Sequence, residues 1–199
     1  MIVITDPQFL VDESKYINAL FENGLDVLHI RKPAATIDEI RNLILQIKVQ
    51  YHYKIMIHSH YDLRKEFVLR GIHFTGESKH LIPQYAEIRC KKSQSIHEIE
   101  ELSSVDPTIN YVFLSPLFPS ISKEGYSKPW NFLDLILALK KSYPFQIIPL
   151  GGINERNLVI AKEFGFNHFA VMGCIWEPVK AGASMQETVD SFKNIKSGK

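Results

Sequence analysis

The chain has 199 residues, 45% of them hydrophobic and 23% charged, the balance of a globular protein large enough to bury a full core. A formal net charge of +1 offers no general attraction for nucleic acid or an anionic membrane, so any anion site must be local. Two cysteines, Cys90 and Cys174, make no disulfide framework, and the opening MIVITD is too short an apolar run for a signal peptide or a membrane span. A cytoplasmic protein is expected, and the composition leaves a homo-oligomer open.

No linker or low-complexity block interrupts the chain, which predicts one domain over residues 1–199. Short β-type runs alternate with helical patterns. The strand candidates are Ile2–Thr5, Val27–Ile30, Lys54–Ile57, Gly71–Phe74, Ile88–Cys90, Tyr111–Leu114, Ile147–Leu150 and Phe169–Met172. Helical patterns cover Ser14–Glu22, Ile37–Tyr51, Tyr61–Leu69, Ile96–Leu102, Phe132–Ser142, Asn154–Phe164 and Gln186–Ile195, whereas the stretch around Leu81–Tyr85 is too short for a proper helix. Eight strands separated by helices predict an α/β (β/α)8 TIM barrel, with an open doubly wound sheet as the alternative.

Function in a barrel gathers where strands end. After strand 2, alternation puts Val27, His29 and Arg31 on one face, taken as the interior and mouth. The Arg31 fork suits a phosphate or a structural carboxylate equally. Strand 3 ends in His58-Ser59-His60, an i, i+2 pair that could hold a metal. No acid closes strand 8, so a hydrogen-bonded histidine pair is the better reading and no metal site is assigned. His73 alternates with apolar neighbours as a satisfied core histidine would. After strand 5, Ser95 and Glu98 could form a capping box, placing His97 in a first helical turn near the mouth as an acid/base. The loop after strand 6 carries Ser120, Ser122 and Lys123 as donors to an anion. The last two strands stop at Gly151-Gly152 and Gly173-Cys174, around a helix with Asn154 as N-cap and Gly165 as stop. Bare amides there could close round a phosphate; alternatively the glycines serve only tight turns.

Several of these stretches resemble the thiamin phosphate synthases and their thiazole tautomerase (TenI-like) relatives. GIHF is similar to that family's GVHL, SIHEIEEL to its S-x-H-x-x-x-E, and SPLFPSISK to its GPIFPTxTK. LGGI and AVMGCI are similar to its GGI and VVSAI phosphate-binding ends. The synthases join a pyrimidine carried on a pyrophosphate to a thiazole phosphate, and the resemblance implies magnesium for the departing pyrophosphate. Here the family's two metal-binding acids read Ser59 and Ser78, leaving Glu77 as the nearby carboxylate, and its R-x-K reads Arg31-Lys32-Pro33. Serine hydroxyls are poor substitutes for carboxylates around a hard cation. The resemblance therefore implies a thiazole-phosphate site formed by Arg31, Ser120, Ser122, Lys123, Gly151, Gly152, Gly173 and Cys174. It leans to a tautomerase needing no cofactor, with His97 as acid/base. The synthase, with magnesium, is the alternative; a catalytically silent relative and a His58/His60 metal-dependent hydrolase are further ones.

Overall fold

The computed structural model describes residues 1–119 and 130–198. Its strands are β1 (Ile2–Ile4), β2 (Val27–Ile30), β3 (Ile55–Ile57), β4 (Gly71–Phe74), β5 (Lys91–Ile96), β6 (Tyr111–Leu114), β7 (Gln146–Pro149) and β8 (Ala170–Val171). All ladders are parallel, in the order β7-β6-β5-β4-β3-β2-β1-β8. Pairing of β8 with β1 rolls the sheet into a nearly closed TIM barrel, whose seam lies between β7 and β8. The α-helices are α1 (Glu13–Glu22), α2 (Ile37–Gln46), α3 (Phe132–Leu139), α4 (Leu158–Glu163), α5 (Gly173–Lys180) and α6 (Met185–Ser197). Among the described residues no helix is long and apolar enough to cross a membrane.

Strand alternation sorts the core into two compartments. Ile2, Ile4, Val27, Met56, Tyr111, Phe113, Ile148 and Ala170 fill the barrel interior. Their outward neighbours Val3, Leu28, Ile30, Ile55, Ile57, Ile72 and Phe74 pack beneath the helices. In α1 the buried residues Glu13, Ile17, Leu20 and Phe21 recur at helical spacing. Within the helical stretch expected between β3 and β4, only Tyr61 and Leu63 are buried, a two-residue spacing that gives a longer helix no stripe to bury. The expected helix there is a 3₁₀ turn, Tyr61–Lys65. Similar turns, Lys79–Tyr85 and Ile99–Ser104, serve the next two crossovers, and α2 gives way to another at Val49–Lys54.

The fifth strand lies at Lys91–Ile96 rather than Ile88–Cys90. Its sequence, KKSQSI, has no apolar alternation, because Ser93 and Ser95 face a buried imidazole inside the barrel. Lys92 Nζ donates to the carbonyls of Ala86 and Ile88. Because Ser95 stays in the strand, the capping box forms later, between Glu98 and Glu101.

One ion pair ties the first two β/α units together. Lys32, just past β2, is 1% exposed. Its Nζ donates to both carboxylate oxygens of Glu13 at 2.7 Å and to the carbonyls of Asp6 and Gln8 at 2.8 and 2.7 Å. Burial pushes the Glu13 carboxyl up and the Lys32 ammonium down, with the partner's charge opposing each shift. Lys32 is therefore spent on structure and does not serve the mouth. Removing one partner leaves a buried charge without compensation, so Glu13→Ala should lower unfolding free energy by about 3–5 kcal/mol, whereas Glu13→Leu with Lys32→Met should restore most of it. Urea unfolding of the three proteins checks this; an unaffected Glu13→Ala protein would contradict it.

Candidate active site

The interior carries a polar layer contributed by neighbouring strands. His29 (β2), His58 (immediately after β3), His73 (β4) and Tyr111 (β6) are all buried. His29 Nδ1 lies 2.9 Å from His58 Nε2, and His29 Nε2 lies 2.6 Å from the Tyr111 hydroxyl. His73 is held at both ring nitrogens, with Nδ1 2.8 Å from Ser93 Oγ and Nε2 3.0 Å from Ser95 Oγ. The Phe113 ring packs against both His29 and His73. His73 is thus the satisfied core histidine expected from its neighbours.

The expected His58/His60 pair does not converge. His60 takes a left-handed backbone conformation at the start of its 3₁₀ turn, and its Nε2 donates to the Ala35 carbonyl. The histidines that do converge are His29, His58 and His73, with candidate ligand atoms within 4.8 Å of one another. The rings of His58 and His73 stack at 4.1 Å with 26° between planes. Their in-plane lone pairs consequently run side by side instead of meeting at one ion, and the hydrogen-bonded network accounts for the cluster.

Burial is the first cause holding all three imidazoles below their ordinary value of 6.5. For His29 the His73 ring and Arg70 add to it; for His58, the rings of His73 and His29 and the Arg31 guanidinium do. His73, with Arg31 and Lys79 nearby, is lowered to about 3. Burial also raises the Tyr111 phenol, so every member of the layer is neutral near pH 7. Arg31 follows β2 directly, its backbone N–H donating to Thr5 Oγ1 at 2.9 Å.

At the mouth, His97 follows β5 directly and is exposed rather than seated in a helical turn. Its backbone N–H donates to Glu101 Oε1 at 2.7 Å, and its Nδ1–H donates to the Ser115 carbonyl at 2.7 Å. A carbonyl can only accept, so Nδ1 carries a proton, and the lone pair of the neutral ring is on Nε2. The loop after β6 is clamped to the end of β7: Leu117 N donates to Leu150 O at 2.8 Å and Phe118 N to Gly151 O at 3.2 Å. Gly151 and Gly152 have φ of 94° and 67°. A Cβ on Gly151 would lie 2.9 Å from Pro116 Cα, and one on Gly152 2.7 Å from Phe118 O. These two glycines are demanded by the turn and by this close approach, and they bring the β7 end beside the segment that holds His97. Asn157, not Asn154, precedes α4; its side-chain amide donates to Gly152 O at 2.7 Å. Ser120, Ser122 and Lys123 lie outside the described residues.

Gly173 and Cys174 open α5, a helix the apolar pattern does not announce. First-turn amides have no intrahelical acceptor, so those of Gly173 and Cys174 point out of the helix start. Trp176 fixes that end in place, fully buried with its Nε1 donating to Ile4 O at 2.7 Å. Among the described residues, a Cβ on Gly173 would meet nothing nearer than Glu177 Cγ at 3.8 Å. Burial pushes the Cys174 thiol up to about 12, which removes it as a nucleophile near neutrality. Of the two positions where that family carries metal-binding acids, Ser59 is half-buried and Ser78 is held by its neighbours. Ser78 Oγ accepts from Thr75 N at 2.8 Å and lies 3.2 Å from the Tyr61 hydroxyl, whose proton goes to the His73 carbonyl, while Glu77 is exposed.

A polar interior opening onto donors at the carboxyl ends of the strands defines a (β/α)8-barrel enzyme. The chain belongs to the thiamine monophosphate synthase family, whose profile matches residues 1–175. It is 34% identical to thiamine phosphate pyrophosphorylase from Bacteroides thetaiotaomicron, whose crystal structure superposes with a TM-score of 0.83 and covers 100% of this chain and 96% of that one. A thiamine-phosphate synthase of Lysinibacillus sphaericus is 28% identical over 158 residues, 75% of this chain and 70% of the relative. The thiamine phosphate pyrophosphorylase of Pyrococcus furiosus, 16% identical with a TM-score of 0.76, covers 99% of this chain and 95% of that one and shares the fold.

The pH dependence of stability follows from the buried layer. An imidazole whose folded-state pKa is depressed contributes its full stability above the unfolded value near 6.5 and loses it as pH falls below that value, because only the unfolded chain then takes up the proton. Each such histidine adds a slope approaching ~1.4 kcal/mol per pH unit. Urea midpoints should therefore fall steeply from about pH 7 to pH 5, and His58→Asn should reduce the slope by about one imidazole's share. A slope unchanged by the substitution would contradict the assignment.

Proposed function

We propose that the protein is a thiamin phosphate synthase: it joins a pyrimidine carried on a pyrophosphate to a thiazole phosphate and releases pyrophosphate. The observation that carries this reading is the 34% identity to a thiamine phosphate pyrophosphorylase over the whole chain. It supports the synthase above the tautomerase towards which the missing acids lean.

The thiazole phosphate is assigned to the start of α5. Gly151 and Gly152 are accounted for by backbone conformation and packing, but neither explains Gly173, where a Cβ would have room. Close approach of a ligand to the Gly173 and Cys174 amides supplies a reason for a bare backbone there, and the positive end of the helix dipole favours an anion. Arg31 is assigned to the pyrophosphate and lowers the cost of the charge that builds as the bond to carbon breaks. His97 is assigned the proton exchange at the mouth, with Nε2 of the neutral ring as the base.

The residues present do not fit magnesium well. The Ser78 hydroxyl already accepts from Thr75 N, Ser59 offers no carboxylate, and Glu77 is a single exposed one, whereas a hard divalent cation seeks carboxylate oxygens. No step is therefore routed through the cation. The same observation favours the second reading, a thiazole tautomerase, which handles no pyrophosphate.

Pyrophosphate release and thiazole isomerisation, measured on the same preparation with and without magnesium, separate the two. The synthase reading predicts pyrophosphate release that requires both substrates and falls on the order of 10²-fold in Arg31→Ala. Isomerisation of the thiazole with no pyrophosphate release would overturn it.

A further inference from the structure

The polar layer has a direction, and one of its ends is unpaired. Among the described residues His58 Nδ1 is buried with no hydrogen-bond partner, although the ring's other nitrogen is engaged by His29. His58 extends β3, its backbone N–H donating to Ile30 O, and so stands at the carboxyl end of the barrel, where Arg31 is also felt. A neutral imidazole has one N–H and one lone pair. In a chain of such rings, fixing the proton on one therefore fixes it on the next.

Tyr111 fixes the first. A phenol is a far stronger acid than a neutral imidazole N–H, and an imidazole nitrogen is a better acceptor than a phenol oxygen. The 2.6 Å separation from His29 Nε2 also suits a hydroxyl donor. With Nε2 accepting, the His29 proton sits on Nδ1 and is donated to His58 Nε2 at 2.9 Å. The His58 proton is left on Nδ1. The other half of the layer is consistent with this sense. Ser93 sits opposite Tyr111 in the β5–β6 register, and its Oγ can accept from His73 Nδ1–H while His73 Nε2 accepts from Ser95.

We propose that Tyr111, acting through His29, is a positioning residue that holds His58 as its Nδ1–H tautomer, presenting a hydrogen-bond donor to an acceptor atom of the bound substrate, a phosphoryl oxygen or a ring nitrogen. The substrate half rests on the synthase reading; the tautomer half does not. In this state the protein meets its ligand with a donor already oriented, and the opposite tautomer would present a lone pair to the same atom.

Long-range proton–nitrogen NMR on full-length protein labelled at histidine nitrogens, near neutral pH, tests both halves, with His58→Asn identifying the His58 signals. Wild type should show His58 Nδ1 protonated and Nε2 bare. Tyr111→Phe, checked for folding by circular dichroism, should move both nitrogens towards averaged shifts as the two tautomers mix. Protonation at Nε2 in wild type overturns the proposal without any variant, and so does a folded Tyr111→Phe protein with an unaltered pattern. Adding thiazole phosphate or the pyrimidine pyrophosphate should shift the Nδ1 proton. Binding seen by calorimetry with that proton unmoved overturns the substrate half, whatever the activity assay shows.

Discussion

A side chain pointing into a nearly closed eight-stranded barrel has lost its water, and a polar group placed there must be satisfied by other inward-pointing groups. This constraint shapes the centre of the molecule. His29, His58, His73, Tyr111, Ser93 and Ser95 come from five strand segments, yet their contacts form a single layer. Burial keeps the imidazoles uncharged, which allows them to pack at ring-to-ring distance without repulsion. A layer of this kind couples strand register to side-chain chemistry: sliding β5 by one residue would turn Ser93 and Ser95 outward and leave His73 without partners.

The mouth above this layer combines two kinds of loop end. At β6 and β7 the backbone is committed to itself, through the Leu117 and Phe118 amides and through glycines that packing requires. At β8, α5 starts at a glycine that packing among the described residues does not demand, and its first-turn amides have no intrahelical acceptor. The rigid part holds His97 through the Ser115 carbonyl. The open part is anchored from behind by Trp176 on Ile4, which sets the amides without occupying them.

Much of this was legible from residue types alone. Val27–Ile30, Gly71–Phe74 and Tyr111–Leu114 carry apolar residues on both faces or bury their polar ones, and they stand where the apolar runs place them. Lys91–Ile96 escaped because a strand whose inner face binds imidazoles carries serines there, and the nearby Ile88–Cys90 looks more like a strand. Helix α5 escaped because it is short, begins at glycine and contains Pro178. His60 looked equivalent to His58, but a left-handed turn separates them, and side-chain type does not reveal backbone φ. Tyr111 and Ser93 drew no attention as site residues; parity with His29 and His73 along their strands was the available signal.

The central claim is that a phosphorylated ligand is held by bare peptide amides at the start of α5, above a neutral imidazole layer. A crystal structure with thiazole phosphate bound would test it most directly. The account predicts phosphoryl oxygens within hydrogen-bonding distance of the Gly173 and Cys174 amides, with the thiazole ring directed towards the barrel axis. A phosphate seated elsewhere on the barrel, with those two amides left to solvent, would contradict it.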